Sequence, residues 1–150
     1  TWDTLRGMTS PRDDDPKLDE AALKERVVRE AQRVTEKDAQ RVLQRHQELE
    51  QKFNKVPAKL TKLVNQVKLL YELIRAYVDG SYREVPWASI AMAVAATVYF
   101  LSPIDLIPDA LPVIGLLDDA LVVRFTLSAI QSDLRGFCAW KGYALDKYFD

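Results

Sequence analysis

Residues 85–104 read VPWASIAMAVAATVYFLSPI, 20 residues without a charge between Glu84 and Asp105. A helix that is apolar on every side is stable only inside a core or in lipid. Pro86 suits a first helical turn, where the missing N–H has no intrahelical acceptor to lose. Trp87, Tyr99 and Phe100 flank the two ends. Ser89, Ala93 and Thr97 recur every four residues, with Ala88, Ala91 and Ala95 beside them, so a second helix can approach closely. From Pro86 to Leu101 the helix is about 24 Å long at ~1.5 Å per residue, short of the ~30 Å hydrocarbon layer. The segment therefore reads as a short span, a re-entrant arm or a buried core helix.

Directly after it comes SPIDLIPDALPVIGLLDD, residues 102–119. Pro103, Pro108 and Pro112 forbid one continuous helix and force a defined path. Asp105, Asp109 and Asp118 each precede apolar residues and are placed to cap short helices, and Gly115 offers a position for a positive φ. The longer string YFLSPIDLIPDALPVIGLLDDALVV resembles the signature of the YkvA-like family, a bacterial domain of unknown function. In that family a short apolar helix leads into a PIDLIPD turn, then a glycine, then a DD pair opening another helix. The likeness runs from about Val67 to Val123 and includes KLLYELIRAY. It implies a small helical, often membrane-predicted protein with no reaction attached.

Outward from this motif the chain divides into unlike halves. Residues 1–85 carry 17 Lys+Arg and 15 Asp+Glu, whereas residues 86–150 carry 4 and 7, which places a boundary near Gly80 to Pro86. Residues 1–17, with three successive aspartates and no periodicity, read as a flexible tail. Met8 is a candidate start, and no signal peptide opens the chain. Residues 18–56 read as an extended, charged amphipathic helical arm with apolar residues at Leu23, Val27, Ala31, Val34, Val42, Leu49, Phe53 and Val56. Asp38 and Arg45 interrupt its heptads, which favours packing within the chain over an intermolecular coiled coil. So narrow a stripe also suggests that the arm is dispensable for folding. The arm lies outside the resemblance and inherits nothing from it. Pro57 should break it. The helical domain, residues 57–150, then resumes at Leu60, Leu63, Val67, Leu70, Ile74 and Tyr77 and stops at Asp79-Gly80, where glycine takes the left-handed position.

Beyond Asp119 a helix is expected through Leu121, Val122, Phe125, Leu127 and Ile130. Gly136 is expected to interrupt the chain, leaving FCAWKGYALDKYF as a closing aromatic helix. The fold class is thus all-α: an arm plus a compact apolar hairpin with a Pro/Asp-rich apex.

The chemistry is sparse. Asp105, Asp109, Asp118 and Asp119 place four carboxylates within 15 positions, a set that suits caps or a Mg²⁺ or Ca²⁺ site. Caps are the preferred reading, because each aspartate has that work without the others. No cofactor is expected. Arg124, one turn past the pair, is a candidate ion-pair partner for Asp118 or Asp119. The one histidine, His46, reads as a solvated helix residue, and the one cysteine, Cys138, as a small buried side chain in a reducing compartment. Balanced charges and the lack of a glycine-rich phosphate loop argue against nucleic acid. The expected role is a non-catalytic interaction module, membrane-associated through residues 86–130, at the cytoplasmic face of the inner membrane or in the cytoplasm. It would meet a protein partner or a second copy through its helices. The second reading is a soluble partner-binding protein, such as a toxin or nuclease neutraliser. The third is a divalent-cation-dependent enzyme built on the four aspartates.

Overall fold

The computed structural model describes residues 20–101 and 112–149, and side chains within 112–118 are not described. Among the described residues every regular element is helical. Residues 20–55 form α1 (Glu20–Gln32), α2 (Glu36–Gln44) and α3 (His46–Lys55), and a 3₁₀ turn at Ala58–Leu60 leads into α4 (Thr61–Val78). The apolar α5 (Trp87–Leu101) follows, then α6 (Pro112–Ala129), α7 (Gln131–Lys141) and a second 3₁₀ turn at Leu145–Lys147.

Helix α5 is the axis of the fold: α1, α2, α3, α4 and α6 all pack against it. Ten of its residues are buried, including Ile90, Val94 and Phe100, and so are the small residues Ser89, Ala93 and Thr97. The four-residue repeat of small side chains thus serves close packing inside a core, where Thr97 Oγ1 bonds back to the Ala93 carbonyl at 2.8 Å. Pro86 precedes the helix, and its carbonyl accepts from Ser89 N (3.0 Å) and Ile90 N (3.4 Å).

The expected extended arm is corrected by the structure. Its stripe is read rightly, since Leu23, Val27, Ala31, Val42, Leu49 and Phe53 are all buried. The chain nevertheless bends twice and wraps on α4, α5 and α6 instead of standing apart. The first bend is a reciprocal cap. Thr35 Oγ1 accepts from Asp38 N at 3.3 Å, and Asp38 Oδ2 accepts from Thr35 N at 2.9 Å. Such a box starts a new helix because it satisfies donors left orphaned at the helix end. The second bend is at Arg45, whose backbone (φ −92°, ψ 26°) leaves helical geometry. Pro57 ends the third helix where expected, one residue beyond the Val56 cap.

Helix α4 stops as its sequence predicts. Gly80 takes φ 85°, and Asp79 Oδ1 accepts from Ser81 N at 2.9 Å and from Ser81 Oγ at 2.7 Å. Those hydrogen bonds hold the Asp79 carboxyl below the ordinary carboxylate range.

Gly136 does not interrupt the chain. It lies inside α7, and its role is close approach: a Cβ there would meet Tyr82 Oη at 3.3 Å. Tyr82 is held between Phe137 (ring centroids 5.2 Å apart) and Trp140 (4.9 Å) and has little room to give way. Gly136→Val is therefore expected to cost about 1–3 kcal/mol, as overpacking does. Tyr82→Phe in the same chain should recover part of it in urea denaturation. The true break is Gly142 (φ 79°), which caps α7 with Tyr143 N bonded to Cys138 O at 2.9 Å. FCAWKGYALDKYF is accordingly split and is not one closing helix. Cys138 is fully buried, and burial pushes its thiol above the ordinary range.

Beyond the cap, Tyr143 Oη donates to Glu72 Oε1 of α4 at 2.5 Å. That bond, with burial, pushes the phenol up to about 12 from its model-compound value of 10.0. A raised phenol stabilises the fold fully below the unfolded value, and that contribution disappears as pH climbs through the folded one. Melting temperature should therefore fall between pH 10 and about 12. Tyr143→Phe should flatten the fall only in part, because burial also raises Tyr71, Tyr82 and Tyr148.

Candidate functional site

Of the four aspartates, Asp119 is the one whose surroundings are described. It lies on the buried face of α6 with 1% exposure. Its Oδ2 accepts from Lys52 Nζ at 2.9 Å. Lys52 comes from α3, 67 residues earlier, and its side chain is 25% exposed. The same ammonium donates to the Phe100 carbonyl at the end of α5 and sits 4.3 Å above the Phe100 ring. Phe100 in turn packs on Phe53, with ring centroids 5.8 Å apart. One charge from the arm therefore ties α3, α5 and α6 together. Asp119 Oδ2 and the Phe100 carbonyl both accept from the one ammonium, a pairing of the kind that a low-dielectric position requires.

Asp105, Asp109, Pro103 and Pro108 lie outside the described residues, as does the side chain of Asp118. Pro112 opens α6, where its fixed φ suits the first position. The Asp118-Asp119 pair consequently falls within the helix and does not open it, so neither residue is the N-terminal cap of α6. Gly115 also lies within α6, in helical backbone that asks for no positive φ. Arg124 is exposed, and the described partner of Asp119 is Lys52. Sequence reasoning missed Lys52 because nothing local distinguishes it from the other lysines of a solvated helix. Among the described residues no three His, Cys, Asp or Glu side chains are grouped to hold a metal ion. A cation at Asp119 would have to compete with an ammonium already 2.9 Å away.

A pocket of about 470 Å³ opens between α1, α2 and α5. Its floor is apolar, with Val94, Ala95, Val98 and Tyr99 from α5. Its walls carry Arg26, Arg33, Arg41 and Arg45 against Glu30 and Asp38. The volume falls in the range of small-ligand sites, ~300–1,000 Å³. Arg26 and Arg33 stand seven residues apart, and Arg41 and Arg45 four apart, spacings that put each pair on one helix face. That signal was present in the sequence, but it shows a pocket only once the arm is folded back. Arg41 Nη1 is bonded to Asp38 Oδ1 at 3.1 Å and Arg45 Nε to Glu48 Oε1 at 2.8 Å. Asp38 is doubly committed, to the Thr35 cap and to Arg41. The Thr35 backbone N–H is the main reason its carboxyl lies below the ordinary range.

Fold and site together define a small all-helical protein wrapped around one apolar helix. Residues 89–125 match the family model described as "Protein of unknown function (DUF1232)". The chain is 25% identical over 80 residues to the "Uncharacterized membrane protein YkvA" of Bacillus subtilis (strain 168), covering 53% of this chain and 76% of that protein. No solved structure matches. On these findings the chain is YkvA-like. The family-matched segment contains α5 from Ser89 onward, Asp119 and Arg124, whereas Lys52 and the four pocket arginines lie outside it. Among the described residues no helix is long and apolar enough to cross a membrane.

Proposed function

We propose that this protein is a non-catalytic helical module that associates peripherally with a membrane surface, at the cytoplasmic face. The observation that carries this reading is the incomplete cover of α5. The helix is too short to span a bilayer, its core face is packed by the arm, and an outward strip including Val98 and Tyr99 stays half-buried beside arginines of the arm. An apolar strip bordered by guanidinium groups suits the boundary between headgroups and acyl chains. The name of the Bacillus relative agrees with membrane association. Residues 86–130 enter the reading through that strip and the half-buried Leu121 and Phe125 of α6. They do not enter as an inserted hairpin.

The test is co-flotation of the purified chain with vesicles of bacterial polar lipids, followed by an alkaline carbonate wash. Binding that the wash removes is expected. Recovery of all protein in the dense, lipid-free fractions would refute membrane association. Binding that survives the wash would instead indicate insertion.

A protein partner is a second reading, favoured by Trp140. It is half exposed and stacked on Tyr82 and Phe137, a rigid aromatic surface of the kind that anchors interfaces. The cation-dependent reading has less support, given the ammonium at Asp119. Millimolar Mg²⁺ or Ca²⁺ is expected to leave the melting temperature unchanged, since a ligand that binds the native state raises it.

A further inference from the structure

We propose that the corner between α3 and α4, residues 55–60, is the surface that docks this protein on an anionic lipid bilayer. Pro57 and Ala58 form its apex, and Lys55 and Lys59 meet phosphate headgroups on either side. The proposal rests on the peripheral-membrane reading and adds to it the place of contact and the lipid class.

Between Glu50 and Glu72 the chain carries five lysines and no carboxylate. Two of the five are committed: Lys52 is bonded to Asp119 Oδ2, and Lys62 Nζ donates to the Phe149 carbonyl at 3.3 Å. Lys68 lies 5.5 Å above the Phe53 ring. Lys55 and Lys59 are exposed and form no ion pair among the described residues. The carboxylates of the neighbouring elements have partners of their own. Glu48, on the same face of α3 as Lys55, is held by Arg45 at 2.8 Å, Glu50 faces His46 at 3.8 Å, and Glu72 accepts from Tyr143 Oη. Asp146, in the 3₁₀ turn that packs on α4, is followed by Lys147. The two charges of the corner are therefore not neutralised by a described neighbour at ion-pair distance.

The backbone of the corner suits surroundings of low polarity. Pro57 has no N–H, and its carbonyl accepts from Leu60 N at 2.8 Å. The Ala58 carbonyl accepts from Thr61 Oγ1 at 2.6 Å, and Val56 N donates to the Phe53 carbonyl at 3.2 Å. Backbone groups satisfied within the chain leave water at little cost. Pro57 and Ala58 are exposed, and Val56 and Leu60 beside them are half-buried. Lysine stems can lie along such an apolar tip while their ammonium groups stay among the headgroups. A nucleic-acid backbone would match the ammonium groups and leave the apolar apex uncovered, and a neutral bilayer would leave the charges unmatched. An anionic bilayer meets both. The corner also lies at the end of α5 that carries Val98 and Tyr99, since Lys52, three residues before Lys55, reaches the Phe100 carbonyl.

Vesicle flotation of the full chain is the test. The parent should bind vesicles of phosphatidylcholine and phosphatidylglycerol in equal parts, and bind phosphatidylcholine alone far less. Lys55→Gln combined with Lys59→Gln should weaken binding to the mixed vesicles by roughly thirtyfold, about fivefold for each lysine lost, with the melting temperature close to that of the parent. Arg83→Gln combined with Lys141→Gln makes the same change in net charge beyond the other end of α4, beside Tyr77 and Trp140, and should weaken binding several-fold less. Ala58→Cys carrying an environment-sensitive dye should shift its emission to the blue on the mixed vesicles, while the fully buried Cys138 stays unlabelled. Equal losses for the two double variants would overturn the corner and leave a diffuse electrostatic attraction. An unshifted dye at residue 58 on vesicle-bound protein would also overturn it. Equal binding to both vesicle compositions would overturn the anionic lipid while leaving membrane association intact. Tighter binding of the parent to a random-sequence RNA duplex than to the mixed vesicles would overturn the lipid in favour of nucleic acid. Failure to bind any vesicle would overturn the corner and the peripheral-membrane reading together.

Discussion

Removal of residues 1–55 is expected to abolish cooperative thermal unfolding. The deleted helices bury Leu23, Val27, Ala31, Ala39, Val42, Leu49 and Phe53. The five larger side chains alone contribute roughly 1.5–3 kcal/mol each in gross burial, on the order of the ~5–15 kcal/mol that holds a whole domain. The entropy regained by freeing the arm offsets part of this, but it does nothing for what is left behind. Helix α5 is uncharged along its whole length and would lose the cover of α1, α2 and α3 at once. Asp119 would lose the Lys52 ammonium in the same step. The truncated chain should show a shallow, sloping melt by circular dichroism, bind a hydrophobic dye and self-associate. A sharp transition within a few degrees of the parent would instead show that α4–α7 fold alone and that the arm is an accessory.

This outcome is opposite to what the arm's sequence suggests, and the reason is physical. Spacing alone reveals a stripe, and the stripe at Leu23, Val27, Ala31, Val42, Leu49 and Phe53 was legible. What covers a stripe depends on where the chain bends, and both bends were hidden. The first is Thr35-Glu36-Lys37-Asp38, a capping box whose Asp replaces the usual Glu or Gln and whose residues also suit a helix interior. The second is Arg45, which no local signal marks as a break. By contrast Gly80, Pro57 and the limits of α5 were readable within a residue or two, because glycine and proline act through their own backbone. Gly136 and Gly142 show the limit of that reasoning. Both are glycines in the last fifteen residues, yet one admits a tyrosine hydroxyl beside a helix and the other ends the helix. Only the packing of Tyr82 tells them apart. The candidate site was legible by halves. Asp119 stood out in a carboxylate-rich motif, while its partner Lys52 lies 67 residues away in sequence and is brought in by the fold.

Lys52→Met is expected to be strongly destabilising for a substitution that removes no apolar packing. It keeps the packing of the stem on Phe100 and removes only the ammonium, taking a charge-assisted hydrogen bond of 2.9 Å from a carboxylate with 1% exposure. Breaking a buried pair in this way costs about 3–5 kcal/mol. Because Lys52 is itself a quarter exposed, the lower end, about 3 kcal/mol, is expected. Asp119→Asn removes the opposite charge and should cost less, about 1–2 kcal/mol. The orphaned ammonium keeps its bond to the Phe100 carbonyl and can turn its head towards water on a flexible stem, an escape that a carboxylate fixed on the buried face of α6 lacks. The double variant Lys52→Met with Asp119→Asn should regain a good part of the single-variant loss, since it contains no buried unpaired charge. Its deviation from additivity should be about 1.5–3 kcal/mol. Urea denaturation of the four chains reads all three quantities. An Asp119→Asn chain less stable than Lys52→Met would reverse the asymmetry, and would mean that the carboxylate is held chiefly by partners other than Lys52. With the predicted order, the segment shared with the family depends for its buried charge on an arm that lies outside the family match. The arm then belongs to the fold through electrostatics as well as through burial.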